Sequence, residues 1–424
     1  MKKVTVDLKP QEEMVGVLEK MLEHRRAHPK ARADELYYEL LVTYHTRLKS
    51  AKEHGKKLIG HTIVVPTELI FAMDMWPMHL EGSSMTLAPV LGNFEEIFST
   101  AKAFGMAPEI CSAHRCLAAL FLKGWAPPVD AVIWSNQVCD NTSKSGDLLM
   151  ELYDVPGMFL DRPYRLNDKE VGYFTDELET MVELLERVGG HKLDPERLRE
   201  TMEVSRYTLE LCKEVYELRK AVPTPALNRR SIQIMFINWL FMGDPVAIPF
   251  IEAVRDECKE MVDKGVGAVP QENYRIISLF LPPLRDMRLL DWMHKEHGAS
   301  IVADPYGSHW GDFTWDLSQP LLTLSHKSFA SPICRQMHGP VEEGVVEDSV
   351  NDAINHKAEG AIYWAHIGCR QGCATIKVVK DALSERVGIP TLVMDIDILD
   401  PTFVSEEELK DKLEGFFEIL EDRR

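Results

Sequence analysis

Two separated stretches of this 424-residue chain alternate short apolar runs with amphipathic helical runs, and that alternation limits the fold more than any other feature. From Leu58 onward, IVVP, MWPMHLEG, DAVIWSNQ and PGMFLDRPY read as strands, with NFEEIFSTAKAF, CSAHRCLAALFLKG and NTSKSGDLLMELY as the helices between them. A second block opens at Tyr274. Its strands are RIISLFLP, ASIVAD, GAIYWAHIG and TLVMDID, and its helices are MRLLDWMHKEHG, EEGVVEDSVNDAINHKAEG, CATIKVVKDALSERVG and SEEELKDKLEGFFEIL. Strands joined through helices pair in parallel, with helices covering both faces of the sheet.

The expected architecture is therefore α/β, with two doubly wound, Rossmann- or flavodoxin-like parallel-sheet domains. Residues 1–55 read as an N-terminal helical region, 56–165 as the first α/β domain, 166–270 as a helical connector and 271–424 as the second α/β domain. The connector holds no convincing strand; its long helices break at the Gly189–Gly190 pair and at Pro223 and Pro225. No internal repeat is visible in the letters.

Apolar residues make up 45% of the chain, enough for globular cores. The net charge of −19, with Lys and Arg scattered, would repel a phosphate backbone and argues against nucleic acid as a partner. The start, MKKVTVDLKPQEEM, has the lysines of a signal peptide without its apolar core. The most apolar stretch, Leu58 to Trp76, is interrupted by His61, Glu68 and Asp74, so no membrane span is expected. A soluble, cytoplasmic protein is the expectation, and there cysteines serve as metal ligands more readily than as disulfides.

Six of the eight cysteines fall where a strand gives out or a helix begins: Cys111, Cys116, Cys139, Cys334, Cys369 and Cys373. Such places offer thiolates and free backbone N–H groups together, which suits an anionic iron–sulfur cluster. Because the cysteines come from two distant stretches, the expected site is a cleft between two halves of the protein. Cys139 follows the strand DAVIWSNQ, and Cys369 follows GAIYWAHIG, with Cys373 in the first turn of the next helix. Cys334 sits in SPICRQMHGP, a segment with no clear secondary structure. A radical S-adenosylmethionine motif would need a cysteine at Ile376, and no C-x2-C zinc knuckle occurs. The plain alternative is burial in a core, and that reading is preferred for Cys212 and Cys258, each midway along an amphipathic helix.

The run HTIVVPTELIFAMDMWPMHLEG, then EICSAHRC, AVIWSNQVCDN, HIGCRQ and GIPTLVMDID, resembles the 2-hydroxyacyl-CoA dehydratase and benzoyl-CoA reductase superfamily, from about Gly60 to Leu420. Dehydratase subunits of that family hold one [4Fe–4S] cluster with three cysteines, matched here by Cys111, Cys139 and Cys369. The additional Cys116, Cys334 and Cys373 make the chain similar to the double-cubane cluster proteins, whose [8Fe–9S] cofactor joins two cubanes. The resemblance implies an iron–sulfur oxidoreductase and a homodimer. It also implies an oxygen-sensitive, anaerobic setting and a separate ATP-hydrolysing reductase that delivers low-potential electrons for reduction of a small-molecule substrate. Consistent with a separate reductase, the chain has no G-x4-GK[ST] loop and no G-x-G-x-x-G turn. The alternative reading is a dehydratase (a hydro-lyase acting on 2-hydroxyacyl-CoA) or benzoyl-CoA reductase subunit with one [4Fe–4S] cluster.

Proton donors must accompany the electrons. By position the candidates are His114, His366 and Glu68, with Arg370 and Gln371 as hydrogen-bond donors to cluster sulfur or an anionic substrate. Each has a plainer reading: His114 on a helix surface, His366 satisfied at a strand end, Glu68 capping the helix TELIFAM. Trp134 and Trp364, ahead of Cys139 and Cys369, are read as sheet-packing aromatics, and Asp395 and Asp397 as solvated loop carboxylates.

Overall fold

The computed structural model describes residues 4–285, 287–305, 307 and 309–424. The N-terminal region is helical as expected, with α1 (Lys9–Ala27) and α2 (Arg32–Ser50); its first three residues lie outside the described ones. Then come β1 (Leu58–His61), α3 (Thr67–Ala72), β2 (Trp76–His79), α4 (Leu80–Leu91), α5 (Phe94–Phe104) and α6 (Ser112–Leu122). They are followed by β3 (Ala131–Ser135), α7 (Thr142–Tyr153) and β4 (Gly157–Leu160). Four long helices come next: α8 (Asp168–Gly189), α9 (Pro195–Leu218), α10 (Arg229–Leu240) and α11 (Ile248–Lys264). The second alternating block runs β5 (Tyr274–Leu279), α12 (Arg288–His297), β6 (Ala299–Ala303), α13 (Pro320–Ala330), α14 (Pro332–Met337) and α15 (Glu347–Asn355). It ends with β7 (Gly360–His366), α16 (Arg370–Ala382), β8 (Thr391–Ile396) and α17 (Glu406–Asp422).

Among the described residues, eight strands form two four-stranded, all-parallel sheets, ordered β2-β1-β3-β4 and β6-β5-β7-β8. The two sheets are wound alike, a repetition that the sequence hides. In each, the chain reverses its direction of travel between the first and third strands of the block. Doubly wound proteins bind ligands beyond the carboxyl ends of the strands at this reversal.

The chain divides into two compact units: Met1–Leu209 with Phe236–Ile251 and Asp312–Ala330, and Glu210–Met235 with Glu252–Gly311 and Ser331–Arg424. The first unit packs Ile59, Leu69, Ile133, Phe174, Met181 and their neighbours between its sheet and the helices α3, α8 and α13. In the second unit β5, β6 and β7 are buried almost throughout, so both sheet faces are covered.

Three expectations fail locally. IVVP is not a strand: the strand is the preceding LIGH, and Val64 lies at φ 60°, a left-handed conformation that a β-branched residue cannot adopt inside a ladder. MWPMHLEG ends as a strand at His79, and Leu80 begins helix α4, whose Gly82, Ser83, Ser84 and Pro89 mask its helical character. SPICRQMHGP is structured: Ser331 precedes α14, which opens on Pro332 with the fixed φ that suits a first helical position.

Candidate functional site

In the first unit, β3 delivers the chain at Ser135 to a short loop that ends at α7. Thr142 closes this loop, its hydroxyl donating to the carbonyls of Ser135 (2.7 Å) and Cys139 (2.8 Å). The Cys139 sulfur then receives the Asn141 N–H at 3.4 Å and lies 3.7 Å from His114 Nε2. Nδ1 of His114 meets the Ser145 hydroxyl at 2.7 Å. When that hydroxyl donates to Nδ1, the Nε2–H points at the sulfur. His114 is therefore no helix-surface residue; it is buried and touches a candidate ligand.

Cys111 caps α6, its carbonyl accepting the N–H groups of His114 and Arg115. Cys116 lies one turn further on, fully buried. Gly146 lets α7 press directly onto the Trp134 ring, because a Cβ there would overlap the indole. Trp134 thus packs between sheet and helix, as the plainer reading held.

The second unit repeats the loop with different residues. Cys369 caps α16 and takes the Gly372 N–H on its sulfur at 3.3 Å, while its own N–H donates to the His366 carbonyl at 2.8 Å. The Cys373 thiol donates to the same carbonyl at 3.3 Å. A Cβ at Gly372 would stand 2.6 Å from the Phe280 ring, so only glycine lets this N–H reach the sulfur. Phe280, at φ 66°, stacks on Tyr363 with ring centres 5.0 Å apart, and the Tyr363 hydroxyl donates to the Gly372 carbonyl at 2.7 Å. Burial pushes the Cys369 thiol up to about 11 against the Gly372 N–H, and burial together with Asp395 raises Cys373. A neutral thiol there becomes a thiolate only when a cation compensates the buried charge.

Cys334 is fully buried within α14. Arg370 is exposed and Gln371 half-buried, both in the first turn of α16. His366 is the last residue of β7 and is buried. Trp364 packs inside the sheet and donates its Nε1–H to Ser278. Asp397, expected in solvent, is buried and accepts the N–H groups of Leu399 and Asp400, whereas Asp395 is exposed.

Glu68 does not cap α3. It is buried in the first turn, where one oxygen binds the Lys327 ammonium and the Ser205 hydroxyl, each at 2.5 Å.

A further cluster escaped the sequence reading. His61 and His79, paired across β1 and β2, end those strands with ring centres 5.1 Å apart, and Glu81 follows in the first turn of α4. All three are buried. His79 Nδ1 accepts the Gly82 N–H at 2.7 Å, His61 Nδ1 donates to the Thr62 carbonyl at 3.1 Å, and Trp239 stacks on His79. Glu81 lies 3.7 Å from His79. Burial pushes its carboxyl up to about 8, opposed by its own N–H and that of Ile63; burial also holds His61 down to about 4 and His79 well below the usual imidazole range. The signal was an acid lodged between Leu80 and Gly82 directly after an apolar strand.

Among the described residues, no three His, Cys, Asp or Glu side chains gather tightly enough for one metal ion. The cysteines of an iron–sulfur cubane each bind a different iron, so their sulfurs stand apart. Two of the candidate sulfurs suit such a cluster: those of Cys139 and Cys369 follow strands and each receives a backbone N–H, and at Cys369 the donor is a glycine where a side chain would intrude.

Two like-wound parallel sheets, each with a cysteine in the loop after its third-in-sequence strand, define a twin flavodoxin-like α/β protein. The chain belongs to the family of the 2-hydroxyglutaryl-CoA dehydratase D-component, whose model matches residues 62–420. It is 23% identical over 414 residues to one of the benzoyl-CoA reductase subunits of Thauera aromatica, covering 91% of this chain and 94% of that protein. It is 20% identical over 380 residues to the (R)-phenyllactyl-CoA dehydratase alpha subunit of Clostridium sporogenes, covering 87% and 91%. The (R)-2-hydroxyisocaproyl-CoA dehydratase alpha subunit of Clostridioides difficile is also 20% identical, over 406 residues, covering 93% and 98%. No helix among the described residues is long and apolar enough to cross a membrane.

Proposed function

We propose that this chain is a cytoplasmic iron–sulfur enzyme that takes low-potential electrons from a separate ATP-hydrolysing reductase and reduces a small substrate. The proposed cofactor is an [8Fe–9S] double cubane held by Cys111, Cys116, Cys139, Cys334, Cys369 and Cys373, in a homodimer. When bound, such a cluster supplies electrons one at a time at low potential. The observation that carries this reading is the paired construction of the Cys139 and Cys369 loops, in which a sulfur at a strand end already receives a backbone N–H. Cluster-bound sulfur is anionic, and donors already in place would stabilise it once iron binds.

Several residues have definable work within this reading. His114 donates Nε2–H toward the Cys139 sulfur while Ser145 fixes its tautomer. Glu81 holds a proton at neutral pH because burial outweighs the backbone N–H groups of Glu81 and Ile63 that favour its charged form. It stands beside the carboxyl end of β1, the strand next to β3, which leads to Cys139. That makes Glu81 the favoured proton donor, ahead of His366 and Glu68. Glu68 is engaged with Lys327, and its role is to pin α3 to α13. Arg370, exposed beside Cys369, and the half-buried Gln371 are the proposed hydrogen-bond donors to an anionic substrate or to sulfur.

The second reading, a dehydratase or benzoyl-CoA reductase subunit with one [4Fe–4S] cluster, is favoured by the names of the relatives and uses Cys111, Cys139 and Cys369 alone. Serine substitution separates the two. Under the double-cubane reading, Cys116→Ser, Cys334→Ser and Cys373→Ser each lower bound iron and alter the reduced-state electron paramagnetic resonance spectrum. If all three variants keep wild-type iron and spectra, the single-cluster reading replaces it.

A further inference from the structure

Cys334 rides on a helix of six residues, too short to hold its own position. The segment is instead gripped from both sides. Asp348 and Asp352, one turn apart on α15, are both buried and face α14 and the loop that follows β6. Asp348 pairs with the Arg335 guanidinium and accepts from Gln336 Nε2 at 3.0 Å, so it holds the two residues directly after Cys334. Gln336 Nε2 also donates to the Pro305 carbonyl at 2.5 Å. His309 spans the two acids, with Nδ1 2.7 Å from Asp352 and Nε2 3.6 Å from Asp348, and the Tyr216 hydroxyl donates to Asp352. From the other side, the chain folds back so tightly that a Cβ at Gly344 would stand 2.5 Å from the Arg335 carbonyl oxygen, and one at Gly339 would overlap the same atom. The turn between them feeds a π-helical stretch, Glu342–Val346, a form that recurs at functional sites.

We propose that Asp348 and Asp352 form a clamp that fixes α14, and so sets the position of the Cys334 sulfur for binding iron. Asp348 is the positioning residue, acting through Arg335 and Gln336, and Asp352 holds His309 as the brace behind it. The proposal rests on the reading of Cys334 as a cluster ligand. A buried carboxylate with a charged partner and a second donor specifies one arrangement, because every alternative leaves a group unpaired in a dry site.

The test uses the full-length chain in two forms. In the iron-free protein, the alkylation rate of Cys334 is followed by peptide mass spectrometry, with buried Cys212 as the reporter of global opening. Asp348→Asn should label Cys334 about ten-fold faster than wild type while Cys212 is unchanged, since local opening needs only these contacts to loosen. Asp348→Glu should restore most of the protection. After anaerobic reconstitution, Asp348→Asn should hold as little iron as Cys334→Ser. If Asp348→Asn unfolds the chain and exposes Cys212 too, Gly344→Ala decides, because it disturbs the same segment from the opposite side. Unchanged labelling of Cys334 in the folded variants overturns the clamp. Full iron in Cys334→Ser instead overturns the ligand reading and leaves the labelling arm to judge the clamp alone.

Discussion

Replacing Glu81 by Gln removes a titratable proton from a dry site while keeping the side chain's shape. The wild-type carboxyl sits at about 8 in the folded chain against an ordinary 4.5, through burial first. A group whose folded value is raised binds more protons folded than unfolded, so its favourable contribution is complete below 4.5 and is lost as the pH climbs to 8. Each pH unit inside that window costs the wild type about 1.4 kcal/mol, and the whole window roughly 5 kcal/mol. Gln is neutral throughout and escapes that cost. Urea unfolding of the iron-free wild type and of Glu81→Gln at pH 5, 6 and 7 should therefore show the variant gaining on the wild type by roughly 2–3 kcal/mol across the series. A difference that stays flat from pH 5 to 7 would refute the claim that Glu81 is a neutral buried acid, and with it the assignment of Glu81 as proton donor.

Other substitutions address neighbouring parts of the account. Lys327→Met should destabilise the chain by about 3–5 kcal/mol in thermal or urea unfolding, because the buried Glu68 would lose its cation and keep only the Ser205 hydroxyl; pairing it with Glu68→Met should recover most of that loss. Under the proposed function His114→Ala removes an N–H from the Cys139 sulfur, so the potential of the proposed cluster should fall by on the order of 50 mV, equivalent to roughly 1 kcal/mol for one electron, in a dye-mediated redox titration. Gly146→Ala should cost about 1–3 kcal/mol in urea unfolding, since the added methyl must displace the Trp134 ring.

Much of the frame was legible because parallel sheets write themselves as continuous apolar runs. AVIWS and GAIYWAH are buried along their whole length, so strand and core coincide in the letters. The positions of Cys139 and Cys369 followed from those runs. What stayed hidden had its cause in tertiary contacts. Helix α4 is written with Gly, Ser and Pro, residues that argue for a turn in isolation, yet it forms with its start capped by His79 and its length packed along α6. The α14 segment is too short for periodicity to register and depends on Asp348, which lies well along the chain. Glu81 is one acid after a strand in the letters, and its burial is a tertiary property that no local pattern records. The repetition of the two units was invisible because winding order, unlike residue identity, leaves no direct trace in sequence.

In the proposed function, six cysteines serve one inorganic centre. Anaerobically purified protein, assayed for iron and acid-labile sulfide per chain, tests it directly. The double-cubane account predicts about eight irons and nine sulfides per chain; about four of each would contradict it in favour of a single cubane, and none at all would remove iron–sulfur chemistry from the protein.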